Sequence, residues 1–179
     1  GPGRVTCVDK ANVFRAFAFF RSIFDEEAAR HPELISDHAY VDATALWMVQ
    51  KPWEFDVLVT ENMFGDILSD LGAGLMGGLG LAPSADIGLE HAVFQPCHGS
   101  APDIAGQGVA NPFAMILSAA MMLEWLGTKH DNEEMRRDGD AMRVAVDQVV
   151  TEGQALTRDL GGTATTKDAA AAVEAVLFR

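Results

Sequence analysis

The sequence predicts an α/β protein with a parallel or mixed sheet and flanking helices. Three strand candidates occur at residues 5–8, 36–41 and 55–60, and the first and third are short apolar runs rich in β-branched residues. A segment with helical periodicity follows each of them, and turn-forming residues separate the segments. Repeated alternation of strand and helix is typical of parallel strands joined by crossover helices.

The first two strand–helix pairs have clear boundaries. The strand at residues 5–8 precedes a helix over residues 13–30, and the His-Pro pair at residues 31–32 ends that helix. The strand at residues 36–41 leads into a second helix, which Asp42 opens and which continues to residue 49. The chain is therefore expected to return to the same edge of the sheet after each strand.

The third pair is the most strongly patterned stretch of the chain. Residues 55–60 have the continuous apolar character of a buried parallel strand. Asn62 is the expected N-cap of the helix that follows. The inward face of this helix consists of the apolar residues Phe64, Ile67, Leu68, Leu71 and Leu75.

The glycine-rich stretch after this helix contains a G-x-G-x-x-G match at residues 72–77. A dinucleotide fingerprint has to follow a strand and open a helix, whereas this match lies at the end of a helix. We therefore assign these glycines to helix termination and close packing. Residues 80–88 are interpreted as an irregular loop, and residues 92–95 as a short strand.

The remaining part of the chain is predicted to be mainly helical. Asn111 and the proline after it form an N-cap and first helical position. A second helix begins at Asp131, and Thr165 or Thr166 caps the last one. The three helices are expected at residues 113–126, 131–152 and 166–178.

Charge and composition exclude several classes of function. The formal net charge of −13 argues against nucleic-acid binding and against anionic membrane surfaces, and no apolar run reaches the length of a membrane span. Two cysteines provide no disulfide framework, so a reduced, cytoplasmic setting is expected. Residues 1–3 resemble an expression scar and are left out of the reasoning.

Asp66 and Asp70 lie four residues apart, so their carboxylates share one face of the predicted helix. Two interpretations are open at this point. A pair of like charges is common on a solvated acidic face. The same pair just beyond the carboxyl end of a strand lies where open α/β sheets bind ligands, and carboxylate oxygens suit a hard divalent cation.

The loop at residues 96–112 carries few charges although it is long, which is typical of functional loops. A hydrolytic triad of His98, Ser100 and Asp103 is a poor interpretation, because no nucleophile elbow is present and neighbours in sequence do not make a triad. A loop that cradles a ligand, with glycines that permit close backbone approach, is the preferred hypothesis.

Five short motifs carry most of this polar chemistry. They are VDKAN at residues 8–12, YVDA at 40–43, NMFGDILSD at 62–70, HGSAPDIAG at 98–106 and DLGGTA at 159–164. In this order and spacing they resemble the C-terminal half of a β-decarboxylating dehydrogenase, the family of isocitrate, 3-isopropylmalate and tartrate dehydrogenases. The resemblance covers nearly all of the chain after residue 3.

The resemblance implies a fold and a division into domains. The expected fold is isocitrate/isopropylmalate dehydrogenase-like α/β, with a helical dimer interface. Residues 4–79 would form the C-terminal part of the substrate, metal and dimerisation domain. Residues 80–179 would form the C-terminal part of the dinucleotide-binding domain.

The resemblance also implies a composite active site in a homodimer. Residues that match Asp66 and Asp70 bind Mg²⁺ or Mn²⁺ together with a 2-hydroxy acid substrate, and the residue that matches Asp42 reaches this metal from the other subunit. The lysine that matches Lys10 crosses over too and acts as the base, while the residue that matches Asn12 lies near the substrate and nicotinamide. This is Lewis-acid chemistry joined to acid–base chemistry.

NAD is the dinucleotide that the resemblance implies. The residues that would cradle it match Ser84, His98, Gly99, Ala101, Asp103 and Asn111. A carboxylate at the position of Asp103 can accept hydrogen bonds from free ribose hydroxyls and would repel a 2′-phosphate. The sequence therefore predicts NAD rather than NADP.

Two departures limit the analogy. Gln95 stands where many isopropylmalate enzymes have glutamate, which leaves tartrate, malate and related 2-hydroxy acids open as substrates. The family's substrate-binding arginines and proton-donating tyrosine would precede residue 1, so the chain alone is expected to be inactive.

Two alternatives remain beside the enzyme. The first is a non-catalytic regulatory or interaction subunit with the same fold, against which the presence of Lys10, Asp42, Asp66 and Asp70 argues. The second is an acidic α/β domain whose motifs serve the fold alone. Metal binding that depends on Asp66 distinguishes the enzyme from this second alternative.

Overall fold

The computed structural model describes residues 3–178, so most of the predicted scar lies outside the described residues. The chain divides into two compact units, Gly1–Leu75 and Met76–Arg179. Each helix that the structure describes falls short of the length or the hydropathy that a bilayer-spanning segment needs.

The first unit is built from three strand–helix pairs, as the sequence predicts. In chain order the elements are β1 (Arg4–Asp9), α1 (Arg15–Ala28), β2 (Ile35–Tyr40), α2 (Val41–Gln50), β3 (Val57–Thr60) and α3 (Asn62–Leu75). The three strands form a parallel sheet in the order β2-β1-β3. Because β1 is central, its residues 6–9 are all buried.

The prediction that β3 is buried is wrong for this chain. β3 pairs with β1 on one side only, and the side chains of Val57 and Val59 remain 53% and 36% exposed. Its apolar composition therefore marks a strand of a parallel sheet, but the described residues 3–75 do not cover both of its faces.

The predicted N-cap of α3 is also wrong. The helix begins at Asn62, and the carboxylate of the preceding residue, Glu61, caps it. The Glu61 oxygens accept hydrogen bonds from the backbone N–H groups of Met63 (3.0 Å) and Phe64 (2.8 Å). The G-x-G-x-x-G match does run through the end of α3, which confirms that it is not a dinucleotide fingerprint.

The second unit combines a hairpin with three helices. Its elements are β4 (Pro83–Ile87), β5 (Ala92–Pro96), α4 (Phe113–Lys129), α5 (Glu133–Thr151) and α6 (Thr166–Leu177). β4 corrects the prediction of an irregular loop over residues 80–88, since it pairs in antiparallel register with β5 along its whole length. The parallel sheet of the first unit and this hairpin together give the predicted α/β architecture.

The helix caps in this unit follow elementary hydrogen-bonding rules. The Asn111 side-chain oxygen accepts the N–H of Phe113 (2.9 Å), as predicted for a cap of α4. α5 is capped by Asn132 rather than by Asp131, because the Asn132 side chain accepts from the second and third residues of the helix. At α6, Thr165 and Asp168 form a capping box.

The core of the second unit lies between α4, α5 and α6. Its buried members are Leu81, Phe113, Leu117, Ala145, Val146, Val149, Ala169 and Val173. Gly139 allows α5 to approach α4 closely, since a Cβ at this position would lie 2.8 Å from the backbone oxygen of Ala120. The hydroxyl of Ser118, which is buried, donates toward the Gln95 carbonyl (2.9 Å) and so ties α4 to the hairpin.

Candidate active site

The first group of predicted site residues lies at the carboxyl edge of the parallel sheet. Lys10 directly follows β1, and Asp42 lies in the first turn of α2, just after β2. β1 and β2 are parallel neighbours with Asp9 opposite Tyr40, so their ends bring the two side chains together. Lys10 Nζ lies 2.5 Å from Asp42 Oδ1.

The Lys10–Asp42 pair is open to solvent on the carboxylate side. The Asp42 side chain is 69% exposed, whereas that of Lys10 is 23% exposed. The hydrogen bond from Lys10 lowers the pKa of Asp42 below its usual value. The Asp42 carboxylate is therefore ionised at neutral pH and accessible to a small ligand.

Beside Lys10 lies an ion pair between the buried carboxylate of Asp9 and the partly exposed Arg21, and the sequence analysis did not identify it. Asp9 is fully buried and accepts two hydrogen bonds from the guanidinium of Arg21, at 2.7 and 2.8 Å. The backbone N–H of Ala11 and the thiol of Cys7 donate to the same carboxylate. Burial raises the pKa of Asp9, but these hydrogen bonds outweigh it and the net effect lowers the pKa.

Asp66 and Asp70 lie on α3, which follows the neighbouring strand β3. Within residues 3–178, the hydrogen bonds and ion pairs include none to either carboxylate, so both keep their acceptor oxygens available. No group of three potential metal ligands forms within the described chain, so Asp42 does not join Asp66 and Asp70 there. Asn12 lies in the turn after β1 and is exposed.

The second group of predicted residues lines a cleft in the second unit, with a volume of about 990 Å³. His98, Gly99, Ala101 and Asn111, four of the predicted dinucleotide residues, all contribute to its walls. His98 Nδ1 lies 2.9 Å from the Gly99 carbonyl oxygen. Since a carbonyl only accepts, Nδ1 carries the proton and Nε2 is the free ring nitrogen.

One wall of the cleft is a hydrogen-bonded network around Asp159. Asn111 Nδ2 donates to Asp159 Oδ2 (2.8 Å), and the buried Thr157 hydroxyl donates to Asp159 Oδ1 (2.6 Å). Gly80 permits this arrangement, because a Cβ there would lie 2.5 Å from Asp159 Oδ2 and 2.6 Å from Asn111 Nδ2. The network fixes the amide of Asn111 in the cleft wall.

The cleft contains two basic residues that the sequence analysis did not single out, Arg158 and Lys167. Lys167 belongs to the first turn of α6, where the N–H of Thr166 donates to the Gly108 carbonyl (2.8 Å). Arg158 lies instead in a short 3₁₀ turn, Arg158–Leu160, so the two cations reach the cleft from different segments of the chain. The sequence around them resembles that of ordinary solvent-exposed turns and helix starts, so it did not indicate a ligand-binding role.

Two predicted residues do not line the cleft. Ser84 lies in β4, where its N–H points to the hydroxyl of Ser118 (3.4 Å). Asp103 lies in a short 3₁₀ turn, Pro102–Ile104, between the lining residues Ala101 and Ile104, and it is exposed.

Comparisons with known proteins place the chain in a family. The profile of the family described as isocitrate/isopropylmalate dehydrogenase matches residues 1–176. The 3-isopropylmalate dehydrogenase of Archaeoglobus fulgidus is 46% identical over 178 residues, which are 99% of this chain and 52% of that protein. A homoisocitrate dehydrogenase of Methanocaldococcus jannaschii is 48% identical over 166 residues, 92% of this chain and 45% of that protein.

Solved structures agree with the sequence comparison. The isocitrate dehydrogenase of Methylococcus capsulatus superposes with a TM-score of 0.86 at 45% identity, over 98% of this chain and 51% of that chain. A β-decarboxylating dehydrogenase of Thermococcus kodakarensis gives a TM-score of 0.84 at 42% identity, over 97% of this chain and 49% of that chain.

The chain spans about half the length of these relatives. The match nevertheless covers almost all of its own residues, and the predicted α/β fold is confirmed. The chain belongs to the isocitrate/isopropylmalate dehydrogenase family.

Proposed function

We propose that the protein to which this chain belongs oxidises and decarboxylates a 2-hydroxy acid of the 3-isopropylmalate, tartrate or malate type, with NAD and Mg²⁺ or Mn²⁺. The observation that carries the proposal is the contact between Lys10 and Asp42 at the carboxyl edge of the sheet. An amine and a carboxylate at this edge, in a member of this family, are suited to proton transfer and metal binding.

Asp66 and Asp70 fit the metal. Their carboxylates share a helix face and accept no hydrogen bond within residues 3–178, so the repulsion between them is uncompensated until a cation binds. We assign these two residues, with Asp42 of a second subunit, to Mg²⁺ or Mn²⁺. Such a cation polarises an α-hydroxy-carboxylate and stabilises negative charge on its oxygens.

Lys10 is assigned as the group that accepts the proton of the substrate hydroxyl. Contact with Asp42 holds its nitrogen at the sheet edge. The nitrogen accepts the proton as the neutral amine, so an ammonium in this ion pair has to give up its own proton first. Because no group of three metal ligands forms within the described chain, we propose that Lys10 and Asp42 of one subunit complete the site of another. Asn12, exposed in the next turn, is assigned to substrate and nicotinamide contacts.

The cleft of the second unit is assigned to the dinucleotide. Residues His98, Gly99, Ala101 and Asn111 line it, and Arg158 and Lys167 supply positive charge for its phosphates. Its open loop glycines leave room for close backbone approach, since a Cβ at Gly99, Gly106 or Gly108 would meet no atom within 4 Å. Ser84 and Asp103 do not line the cleft, and they remain assigned to the dinucleotide on the family resemblance alone.

Asp103 supports NAD as the preferred coenzyme, because its exposed carboxylate would repel a 2′-phosphate. The test is steady-state kinetics of the protein at the family's length with NAD and NADP. We expect a higher kcat/KM with NAD than with NADP. In Asp103→Asn the two values of kcat/KM should lie closer together. A higher kcat/KM with NADP would refute the assignment.

The substrate is assigned only as a class. Relatives of nearly equal similarity carry the names 3-isopropylmalate dehydrogenase and homoisocitrate dehydrogenase, so identity does not separate their substrates. Gln95, in β5, leaves tartrate and malate in the class. A panel of these 2-hydroxy acids, assayed by NADH formation, identifies the preferred member.

The composite site has a direct test in mixed dimers at the family's length. Lys10→Ala and Asp66→Asn homodimers should each be inactive, with kcat lowered by about 10³-fold or more. Subunits of the two variants, unfolded and refolded together, should regain one intact site per mixed dimer. Absence of any recovery, with dimers shown to exchange, would contradict the composite site.

Metal binding can be measured without turnover. Mn²⁺ titration by calorimetry should show binding that Asp66→Asn removes, whereas Asp138→Asn on the exposed face of α5 should leave it unchanged. A protein whose motifs serve the fold alone would show no binding that depends on Asp66.

A further inference from the structure

Lys10 is held by more than its own contact with Asp42. The residue before it, Asp9, is buried beneath the sheet edge, and its carboxylate is satisfied by Arg21 of α1. A buried charge of this kind is stable only when its partners are fixed, because an unpaired carboxylate in the interior is costly. The Asp9–Arg21 pair is therefore a rigid point directly beside Lys10 in the chain.

Hydrogen bonds also fix the backbone around Lys10. Asp9 Oδ1 accepts the N–H of Ala11 (2.8 Å), which closes a turn with Lys10 at its centre. The carbonyl oxygen of Lys10 accepts the N–H groups of Val13 (2.9 Å) and Phe14 (3.1 Å), where the chain enters α1. The position of the Lys10 Cα is thus set by the turn, not by the substrate.

The ring of Tyr40 connects the ion pair to the lysine side chain. The Arg21 guanidinium carbon lies 5.4 Å from the ring centroid, and Lys10 Nζ lies 5.9 Å from the same centroid. Both distances are in the range of cation–π attraction. Two cations that share one ring repel each other, so Arg21 favours a Lys10 side chain that extends toward the Asp42 carboxylate.

We propose that Arg21, paired with Asp9, and Tyr40 are positioning residues for Lys10, which hold its side-chain nitrogen at Asp42. This inference rests on the proposed function of Lys10 for its kinetic consequence, but the positioning itself is a property of the chain. Arg21 and Tyr40 contact neither metal nor substrate in this account.

The positioning is tested first on the chain itself, without activity. Limited acetylation by acetic anhydride at one fixed pH, analysed by mass spectrometry, gives the rate of Lys10 relative to Lys51, which has its own partner in Glu54. Arg21→Lys keeps the positive charge but loses the bidentate contact with Asp9. The rate of Lys10 acetylation relative to Lys51 should then rise about threefold, which is the size expected when an exposed ion pair weakens. Arg15→Met, on the same helix, is the matched control and should not change it.

Tyr40→Leu provides a second variant that leaves the Asp9–Arg21 pair intact. It should raise the relative rate of Lys10 as well, because it removes the ring that both cations share. If Arg21→Lys were unfolded, the acetylation rates of all lysines would rise together. The Lys10 rate in Tyr40→Leu would then be the test of the proposal. An unchanged Lys10 rate in a folded variant overturns the proposal.

The kinetic consequence is tested in the protein at the family's length, with the substrate that the panel identifies. Arg21→Lys should lower kcat about 10- to 100-fold, as expected for a misplaced catalytic group, while KM for substrate and NAD changes less than about twofold. Arg15→Met should retain the kinetic constants of the unmodified protein. Equal kcat in Arg21→Lys and Arg15→Met would overturn the kinetic role.

Chemical rescue separates this inference from the proposed function. Lys10→Ala should recover part of its activity when ethylamine is added, and the rescued rate should be the same in the double variant Lys10→Ala/Arg21→Lys, since Arg21 acts only through Lys10. A lower rescued rate in the double variant overturns the positioning role. Full activity of Lys10→Ala without amine would instead refute the proposed function.

Discussion

In the unit that ends at Leu75, the candidate catalytic residue Lys10 lies beside an ion pair. The unit that begins at Met76 is built on an apolar core, and its cleft wall contains a hydrogen-bonded network around Asp159. The first unit has an ion pair between buried Asp9 and partly exposed Arg21, directly beside Lys10, and α1 has no buried residue. The second unit has an apolar core between α4, α5 and α6.

This difference teaches how the two sites respond to change. An ion pair with a bidentate contact restricts the orientation of the two side chains to one geometry. Its contribution depends on the ionisation of both partners. An apolar core fixes position through many weak contacts and is insensitive to pH. The predictions below test this contrast in order of expected size.

The largest effect is expected for Phe113→Ala in the core of the second unit. Phe113 is fully buried, so the lost contacts and the cavity should lower the free energy of unfolding of this unit by about 3–5 kcal/mol. Phe19→Ala on α1, where the ring is 69% exposed, should cost less than about 0.5 kcal/mol. Urea unfolding, followed by hydrogen exchange in each unit, measures the loss of unfolding free energy in both variants. Equal losses would contradict the difference between the two units.

Asp9→Asn should have the next largest effect and should be confined to the first unit. It leaves the Arg21 guanidinium without its partner and should cost about 3 kcal/mol. Glu27→Gln, which removes an exposed pair with Arg30 on the same helix, should cost less than about 0.5 kcal/mol. The effect is measured as the hydrogen-exchange rate of the β1 amides. A loss of exchange protection in α5 would contradict the prediction that the effect is confined to the first unit.

Acid should weaken the first unit through the same group. The pKa of folded Asp9 is lowered, so its contribution is fully present above the unfolded value near 3.9 and is lost as pH falls through the folded value. We expect the protection of β1 to decline below about pH 4 and this component of the decline to be absent in Asp9→Asn. A decline of the same steepness in both proteins would show that other carboxylates are responsible.

The smallest effect is expected at the cap of α6. Thr165→Ala removes the capping box with Asp168 and should cost about 1 kcal/mol in the second unit. Thr163→Ala, two residues earlier in an exposed segment, should change the unfolding free energy by less than about 0.5 kcal/mol. If the two variants were equal, the capping box would not stabilise the start of α6 in solution.

Much of the fold follows from the sequence because period and turn chemistry agree. The three strand–helix pairs, the cap of α4 by Asn111 and the cap of α6 by Thr165, one of two predicted caps, are confirmed. β4 was missed because its sequence, PSADI, contains a proline, a serine and an aspartate, which locally favour a turn, and only pairing with β5 makes it a strand. The cap by Glu61 was missed because glutamate is an unusual N-cap.

The candidate site shows the same limit. Lys10, Asp42 and the cleft residues could be assigned because their motifs resemble those of a family. Asp9, Arg21 and Asp159 could not, because their importance arises from contacts between distant parts of the chain, 12 residues apart for the first pair and 48 for the bond from Asn111 to Asp159. The conformation of each partner is set by tertiary packing, which a local pattern does not encode.

The two cysteines differ in a way that has a practical use. Burial, together with the adjacent Asp9 carboxylate, raises the pKa of the Cys7 thiol to about 12, so it stays protonated and inert at neutral pH. Cys97 is exposed and directly precedes His98 of the cleft. Within this chain a maleimide dye should therefore attach at Cys97 and not at Cys7, which would place a fluorophore beside the cleft residue His98.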